Sequence, residues 1–322
     1  MNRGLSGTKS FLKRKLVSWR CNSTSAPINA PPLLMYGTAS PYVYVSSAAI
    51  DGTIDEEDPS LFVHPKSLFV EKNLPKSFES SQFRYVSPTT FNFELPDKPI
   101  PEVAFLGKSN VGKSSLLNAL TTKDLAKTSK TPGRTQQPNY FGLYPSFLKN
   151  KEKEDAALGY IIDLPGFGYA KAPDEVVAKW QATTQEFLQQ RIVDGNLQRV
   201  YMLIDSRRGL NTFDSSILGW LDEAECDYTV VLTKADSVSK AKLVKSANEI
   251  CMRYHAKGLE NESETHQSPC VHITSSKKNK GIVDLMWAID TDFSLGSEQL
   301  KIMEEERKAK SEKVSKGWGK TR

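Results

Sequence analysis

Cysteine, histidine and long apolar runs are all scarce in this chain of 322 residues. The four cysteines lie far apart with few histidines near them, which indicates neither a disulfide framework nor a zinc site and fits a reducing compartment. No apolar run approaches the roughly 20 residues that cross a bilayer, so we expect no membrane span. These absences together predict a soluble protein.

Acidic residues are missing from positions 1–50, which hold six Lys and Arg and many Ser and Thr. The same stretch has apolar residues at helical spacing, including Phe11, Leu16 and Trp19. This composition is typical of a transit peptide, so we expect import into a mitochondrion or plastid. A basic tail without a targeting role, or a wrongly assigned start codon, would give the same pattern and leave the protein in the cytoplasm.

The net charge of +5 belongs to the two ends of the chain. Residues 301–322 carry eight Lys and Arg against four acids, whereas residues 51–300 are net acidic. The whole protein is therefore not a polycation built for nucleic acid. We predict a linker over 51–81, a folded domain over 82–292 and a basic tail over 293–322, with flexible extensions on both sides of the domain.

From Pro101 onward, strand-like apolar runs alternate with amphipathic segments of helical period. That alternation predicts an α/β fold with three layers and a mostly parallel six-stranded sheet. The predicted strands are Val103–Leu106, Tyr140–Tyr144, Tyr160–Asp163, Val200–Ile204, Thr229–Leu232 and Val271–Thr274.

A glycine loop follows the first of these strands and opens into a helix-like run. Two glycines flank four residues and precede a Lys and a Ser, the spacing at which backbone N–H groups curl around a di- or triphosphate. Lys113 would reach the β and γ oxygens, and the Ser114 hydroxyl would bind Mg²⁺. The predicted phosphate-binding residues are Gly107, Lys108, Ser109, Asn110, Val111, Gly112, Lys113, Ser114 and Ser115.

Three short motifs, each at the carboxyl end of a later strand, select among nucleotide-binding proteins. In the first, Asp163 can hold Mg²⁺ and the Gly166 N–H can sense the γ-phosphate. In the second, Asp236 can accept two hydrogen bonds from the guanine edge while the Lys234 stem covers the ring. In the third, the Ser276 N–H can meet the guanine O6. The members of the three motifs are Asp163, Leu164, Pro165 and Gly166, then Thr233, Lys234, Ala235 and Asp236, then Thr274, Ser275 and Ser276.

Together with Thr131–Gln136 and Leu203–Arg207, these motifs resemble the EngB family of translation-factor-related P-loop GTPases over about residues 82–292. The resemblance implies a three-layer P-loop GTPase domain that hydrolyses GTP to GDP and phosphate as a Mg²⁺-dependent switch. It also implies a part in assembly of the large ribosomal subunit, with links to cell division and septation in bacterial members. Both terminal extensions lie outside the resemblance and fit an organelle-targeted eukaryotic member.

The resemblance also supplies a first switch to the nucleotide site. It implies that Thr135 meets Mg²⁺ and the γ-phosphate only in the GTP state, with Gly133 and Arg134 beside the nucleotide. The residues predicted to act in hydrolysis are Lys113, Thr135 and Gly166. Those predicted to bind Mg²⁺ are Ser114, Thr135 and Asp163.

Phe167 stands where Ras-like switches keep a water-orienting Gln, and a phenyl ring can neither orient water nor stabilise charge. We expect its ring to turn away from the phosphates and intrinsic turnover to be slow. By analogy with potassium-dependent relatives, Asn110 would bind K⁺ and supply the missing positive charge. Alternatively, Asn110 only braces the loop, and Arg207 or a ribosomal element supplies that charge.

The partners expected are GTP and GDP, together with ribosomal RNA or a large-subunit assembly intermediate, and we expect a monomer. Phosphate contacts would come from basic residues around the nucleotide side of the fold. These are Lys123, Lys127, Lys130, Arg134, Lys277, Lys278 and Lys280.

Two other readings compete with a ribosome-assembly GTPase. A signalling or trafficking GTPase of the Ras-like kind often carries a lipidated cysteine near its C-terminus, but no cysteine follows Cys270 here. A P-loop nucleoside kinase or ATPase would have no use for Asp236, since adenine lacks the matching pair of donors. The motifs therefore favour guanine over adenine.

Overall fold

The structure is a computed structural model that describes residues 44–46, 73–86, 100–126, 138–146, 157–167, 174–260 and 266–293. Of these, 44–46, 174–181, 254–260 and 269 are described by their backbone alone. The described residues of the main domain form three layers, with a sheet between two sets of helices. This is the P-loop GTPase arrangement that the sequence predicts.

One sheet of eight strands forms the middle layer, in the order β1-β8-β7-β6-β3-β5-β4-β2. Neighbouring strands run parallel except at one side, where β4 is antiparallel to both β5 and β2. The strands are β1 Tyr44–Ser46, β2 Ser81–Val86, β3 Glu102–Gly107, β4 Asn139–Pro145, β5 Gly159–Asp163, β6 Leu197–Asp205, β7 Tyr228–Thr233 and β8 Gln267–Ile273.

The prediction of six strands is wrong in number, because the structure adds one strand at each edge of the sheet. All six predicted strands are present, as β3 to β8. The added strand β2 has only one buried side chain, Phe83, so it lacks the continuous apolar run that marks the inner strands. The other, β1, is three residues long and pairs with Cys270–His272 of β8. It lies inside the stretch predicted as a transit peptide.

The helices cover the two faces of the sheet. Three of them pack on one face through Leu188, Leu218 and Leu243, and the other three pack on the opposite face through Phe78, Leu117 and Leu285. The first set is α3 Asp174–Val193, α4 Thr212–Glu223 and α5 Lys240–Glu260. The second set is α1 Lys76–Glu79, α2 Lys113–Thr121 and α6 Ile282–Asp292.

The short helix α1 anchors part of the predicted linker to α6. The Ser77 hydroxyl donates to Asp290, and the Trp287 indole donates to the Asn73 carbonyl at 2.9 Å. The ordered domain therefore begins before residue 82. Within the described part of the chain, none of the helices has the length and apolar character needed to cross a membrane.

The inner strands bring their carboxyl ends to one edge of the sheet. Strands β3, β5 and β7 are buried along their whole length, and each leads into one of the predicted nucleotide motifs. In an open parallel sheet, loops at this edge form the ligand-binding crevice. The fold thus positions the candidate site before any side chain is considered.

Candidate functional site

The glycine loop joins β3 to α2 at the sheet edge. Its backbone requires small residues, since Gly112 has φ +111° and a side chain on Gly107 would come within 2.9 Å of the Leu203 carbonyl oxygen. Asn110 also has positive φ, at 64°. Gly112 is the N-cap of α2, so the first N–H groups of that helix open toward the loop. A concave loop of this kind ahead of a helix can bind an anion.

Lys113 and Asp163 are two buried groups of opposite charge that influence each other near the loop. Their exposed fractions are 9% and 4%. Burial lowers the pKa of Lys113, and the nearby Asp163 carboxylate opposes that shift. Burial raises the pKa of Asp163 to about 6, with Lys113 opposing it in turn. The Lys113 ammonium donates a long hydrogen bond of 3.4 Å to the Gly107 carbonyl, which leaves it able to turn toward an anion.

The same place offers oxygen atoms that fit a divalent cation. Within the described part of the chain, no donor reaches the buried Oδ1 atom of Asp163. Ser114, in the first turn of α2, adds a hydroxyl. A carboxylate oxygen without a partner among the described residues and a serine hydroxyl are donors that Mg²⁺ prefers. Ser114 and Asp163 therefore fit the metal role predicted for them.

The segment after β5 closes against the glycine loop. Ser109 N donates to the Phe167 carbonyl at 2.9 Å, and Phe167 N donates to the Gly107 carbonyl at 3.3 Å. A side chain on Gly166 would lie 3.0 Å from the Lys113 ammonium and 3.1 Å from the Ser109 backbone, so any larger residue would crowd both. The backbone of Gly166 thus faces the phosphate side of the loop.

The Phe167 ring is buried in the core rather than turned into the crevice. Only 1% of this residue is exposed, and its ring centroid lies 5.3 Å from that of Phe213 in α4. A ring held there cannot reach a water molecule at the phosphates. The structure therefore agrees with the expected orientation of Phe167.

The motifs after β7 and β8 meet at the other end of the crevice. The Ser275 hydroxyl donates to Asp236 Oδ1 at 2.6 Å, and Ala235 N donates to the Thr274 carbonyl at 3.1 Å. The hydrogen bond from Ser275 lowers the pKa of the exposed Asp236 carboxyl, so this group is ionised at neutral pH. An ionised, exposed carboxylate at this place can accept the two donors of a guanine edge.

Lys234 links this end to the glycine loop. Its ammonium donates to the Asn110 carbonyl oxygen, and the Thr233 hydroxyl donates to the Val111 carbonyl at 2.7 Å. The Lys234 ammonium also donates to Asp205 at the end of β6, at 2.8 Å. Sequence reasoning assigned no role to Asp205. The signal was its place at the carboxyl end of a central strand, in the Leu203–Arg207 segment already noted for the resemblance.

Most of the residues predicted for the site converge on this edge of the sheet. Gly133, Arg134 and Thr135 of the first switch lie outside the described residues, as do Lys127 and Lys130. Among the predicted basic residues, the structure describes four as exposed: Lys123, Lys277, Lys278 and Lys280. The last three share one tight loop, which the Ser275–Lys280 backbone pair closes with hydrogen bonds of 2.9 and 3.1 Å.

Comparison with known proteins identifies the family of this site. A family model described as "50S ribosome-binding GTPase" matches residues 102–234. A protein of Rhodospirillum rubrum named "Probable GTP-binding protein EngB" is 44% identical over 195 residues, which cover 60% of this chain and 77% of that protein. A protein of the same name from Rhodopseudomonas palustris is 38% identical over 239 residues, covering 73% of this chain and 95% of that protein.

One solved structure, described as "a probable GTP-binding protein engB", aligns with a TM-score of 0.42 and 22% identity over 60% of this chain and 98% of that one. The sequence relatives are more informative, since this chain spans most of their length at about 40% identity. They carry the name of the family whose motifs converge here on one edge of the sheet. The chain therefore belongs to the EngB family of P-loop GTPases, which bind and hydrolyse GTP.

Proposed function

We propose that this protein is a guanine-nucleotide switch whose GTP-bound form binds an assembly intermediate of the large ribosomal subunit. One observation carries the proposal: the loop 275–280 contains both a guanine-site residue and three exposed lysines. Ser275 holds Asp236, and the Lys278 N–H donates back to the Ser275 hydroxyl at 3.1 Å. Nucleotide bound at the base end can thus reach side chains suited to RNA phosphates, while the difference between GTP and GDP would be sensed at the phosphate end through Gly166. The "50S ribosome-binding GTPase" description of the matching family supports the same partner.

Within this proposal the nucleotide lies along the crevice from the glycine loop to Asp236. Lys113 holds the β and γ oxygens, Gly166 senses the γ-phosphate, and Lys234 with Asp236 receives the base. Ser114, Asp163 and Thr135 would hold Mg²⁺, which would offset the charge of the phosphates. The phenyl ring of Phe167 cannot assist the attacking water. We therefore propose that K⁺ bound by Asn110, or a group from the ribosome, supplies the missing charge.

Sedimentation with ribosomal particles tests the partner. We expect the protein to join a large-subunit precursor at low salt when loaded with a non-hydrolysable GTP analogue, and to leave it with GDP. Reversing two loop charges, Lys277→Glu with Lys278→Glu, should weaken that association and lower its salt dependence. The matched control is Lys240→Glu with Lys245→Glu, an equal charge change at exposed sites of α5.

The outcomes distinguish the role of loop 275–280 from the association with a large-subunit precursor. If the loop variant binds GTP normally but loses the particle, the loop is the contact. If both variants lose the particle equally, only net charge matters and the loop has no special part. If the wild type stays in ribosome-free fractions under both nucleotides at low salt, the large-subunit role is wrong.

We also propose that residues 1–50 direct import into a mitochondrion or plastid. The support is compositional, since this stretch has six basic residues and no acid. A fusion of residues 1–50 to a fluorescent protein should leave the cytosol and colocalise with one organelle marker. A matched fusion with the six basic residues changed to Gln should stay cytosolic. A uniform cytosolic signal from the unchanged fusion would reject the proposal.

A further inference from the structure

Asp205 is the last residue of β6 and lies between the two halves of the crevice. It is 8% exposed, and the sheet register pairs it with Thr233, directly before Lys234. Its backbone is also fixed, because its carbonyl accepts from Arg208 N at 2.9 Å and from Gly209 N at 3.0 Å. A carboxylate attached to so constrained a backbone can hold a partner in one place.

Two cations share the Asp205 carboxylate. Lys234 donates to Oδ2 at 2.8 Å, while the Arg207 guanidinium donates from Nε to Oδ1 at 2.9 Å and from Nη2 to Oδ2 at 2.6 Å. Burial alone would raise the pKa of Asp205, but the hydrogen bonds from Arg207 and Lys234 hold it well below its usual range. Asp205 is therefore charged throughout the physiological pH range. It also occupies Arg207, which was one of the candidates for charge at the phosphates.

The backbone conformation of Lys234 makes a contact such as the one with Asp205 necessary to hold its side chain in one position. Its φ is +57°, a left-handed conformation that is uncommon for lysine, and a long side chain has several rotamers to lose. Here the stem passes over the glycine loop, with its Cε atom 3.6 Å from the position a Gly112 side chain would take. The ammonium is held at both sides, by the Asn110 carbonyl and by Asp205.

We propose that Asp205 is a positioning residue for guanine binding, which fixes the Lys234 stem where it covers the base. This inference rests on the guanine site proposed above. In this proposal the contact between Asp205 and Lys234 is already formed before the nucleotide binds. Because the stem covers the base and not the phosphates, the effect of Asp205 should be confined to ligands that carry a base.

The test compares fluorescent GDP with inorganic pyrophosphate as ligands of the full chain. We expect Asp205→Asn, which keeps the shape and removes the charge, to weaken GDP binding about tenfold, mainly through faster dissociation. Pyrophosphate, measured by competition, should bind as it does to the wild type. Asp222→Asn is the matched control, since that carboxylate also pairs with an arginine, Arg253 at 2.9 Å, but away from the crevice.

A double-mutant cycle with Lys234→Met gives a readout that a general structural role would not produce. Lys234→Met keeps the stem and removes the ammonium, so it should weaken GDP binding at least as much as Asp205→Asn. Adding Asp205→Asn to it should then change little, because the two residues act through one contact. Independent, additive losses, or unchanged GDP binding in Asp205→Asn, would overturn the proposal.

Three further outcomes are informative. If Asp205→Asn does not unfold cooperatively, Lys234→Met decides, and wild-type GDP affinity in that variant rules the tether out. If Asp236→Asn loses GDP while Asp205→Asn does not, the guanine site stands and only the positioning role is wrong. If pyrophosphate binding falls in parallel with GDP binding, Asp205 supports the glycine loop and not the base.

Discussion

The phosphate end and the base end of the crevice treat their charged groups in opposite ways. At the phosphate end, Lys113 and Asp163 are buried, their pKa values are shifted by burial, and Asp163 Oδ1 has no donor among the described residues. At the base end, Asp205, Lys234 and Asp236 are all hydrogen-bonded to neighbours on the chain. The phosphate end thus bears a cost that a ligand can relieve, whereas the base end is already assembled.

This contrast suggests that the phosphate end supplies most of the affinity for nucleotides and the base end supplies the selectivity among them. Binding Mg²⁺ and phosphates can recover the cost of buried, poorly paired charges, which raises affinity. A pre-assembled base end loses little flexibility on binding and leaves its groups unmatched if the wrong base arrives, which raises selectivity. We therefore expect changes at the phosphate end to affect all nucleotides and changes at the base end to affect the choice among them.

The largest effect is expected from Lys113→Met. Removing one partner of a buried charge contact costs about 2–5 kcal/mol, so GTP and GDP should both bind roughly a thousandfold more weakly. The nucleotide-free protein should lose little thermal stability, because the substitution removes a buried charge and the Asp163 carboxyl, whose pKa burial raises to about 6, can take up a proton in its place. Fluorescent-nucleotide titration and thermal unfolding measure the two, with the exposed Lys245→Met as control. A nucleotide-free protein that is clearly destabilised would break the contrast.

The next effect is expected from Asp236→Asn. Guanine would lose its carboxylate acceptor, and GTP affinity should fall about a hundredfold. Xanthine nucleotides, which present an acceptor where guanine has a donor, should bind better than they bind the wild type. Competition against fluorescent GDP measures both. A variant that weakens all nucleotides equally would mean that the base end does not carry selectivity.

A smaller effect concerns pH and Mg²⁺. With the pKa of Asp163 near 6, this carboxyl is mostly ionised at pH 7 and mostly protonated at pH 5. Mg²⁺ requires the ionised form, so its affinity for the GDP complex should fall about tenfold from pH 7 to pH 5. The nucleotide's own phosphate titrates in the same range, so Asp163→Asn is the reference for that contribution. If both proteins show the same pH dependence, Asp163 is not the titrating ligand.

The same carboxyl has a second consequence in the nucleotide-free protein. Its pKa is raised on folding, so the unfolded chain ionises first as the pH increases. The contribution of Asp163 to stability should therefore fall between about pH 4 and pH 6 and stay low above that. Denaturant unfolding of the wild type against Asp163→Asn across this range measures it.

The smallest effect is expected from the choice of monovalent cation. If Asn110 binds K⁺, GTP turnover should be several-fold faster in potassium than in sodium buffer, and Asn110→Ala should lose that response. The described fold leaves Asn110 exposed, with positive φ, at the tip of the glycine loop. Equal turnover in both salts would favour a group supplied by the ribosome.

Much of the fold could be predicted because the inner strands are continuous apolar runs. Such a run can be recognised in the sequence without knowing which strand it pairs with. Strand β2 escaped because its side chains are only partly buried: it packs through Phe83 while Tyr85 remains 47% exposed. A half-buried edge strand in a segment rich in Pro and Ser resembles a linker. The three residues of β1 are too few to show any period.

The glycine loop and the strand-end motifs could be predicted because their chemistry is local in sequence. The role of Asp205 could not be predicted in this way, since it depends on Lys234, which lies 29 positions later. That contact exists only because β6 and β7 pair in a register that sets Asp205 beside Thr233. Periodicity indicates that two strands exist but not which residues they bring side by side. The burial that shifts the pKa of Asp163 is likewise a property of packing.

The strand order has a consequence for a chain still being synthesised. The innermost strand, β3, is made early and pairs with β5 and β6, whereas β8 is made last and pairs with β7 and β1. A nascent chain that ends near Gly209 already contains the glycine loop and Asp163, but neither Asp236 nor Ser275. Long-range pairing of this kind is slow and proceeds as the partners become available. The residues proposed to hold the phosphates are therefore translated before those proposed to select the base, so we expect guanine selectivity only after synthesis has passed Ser276.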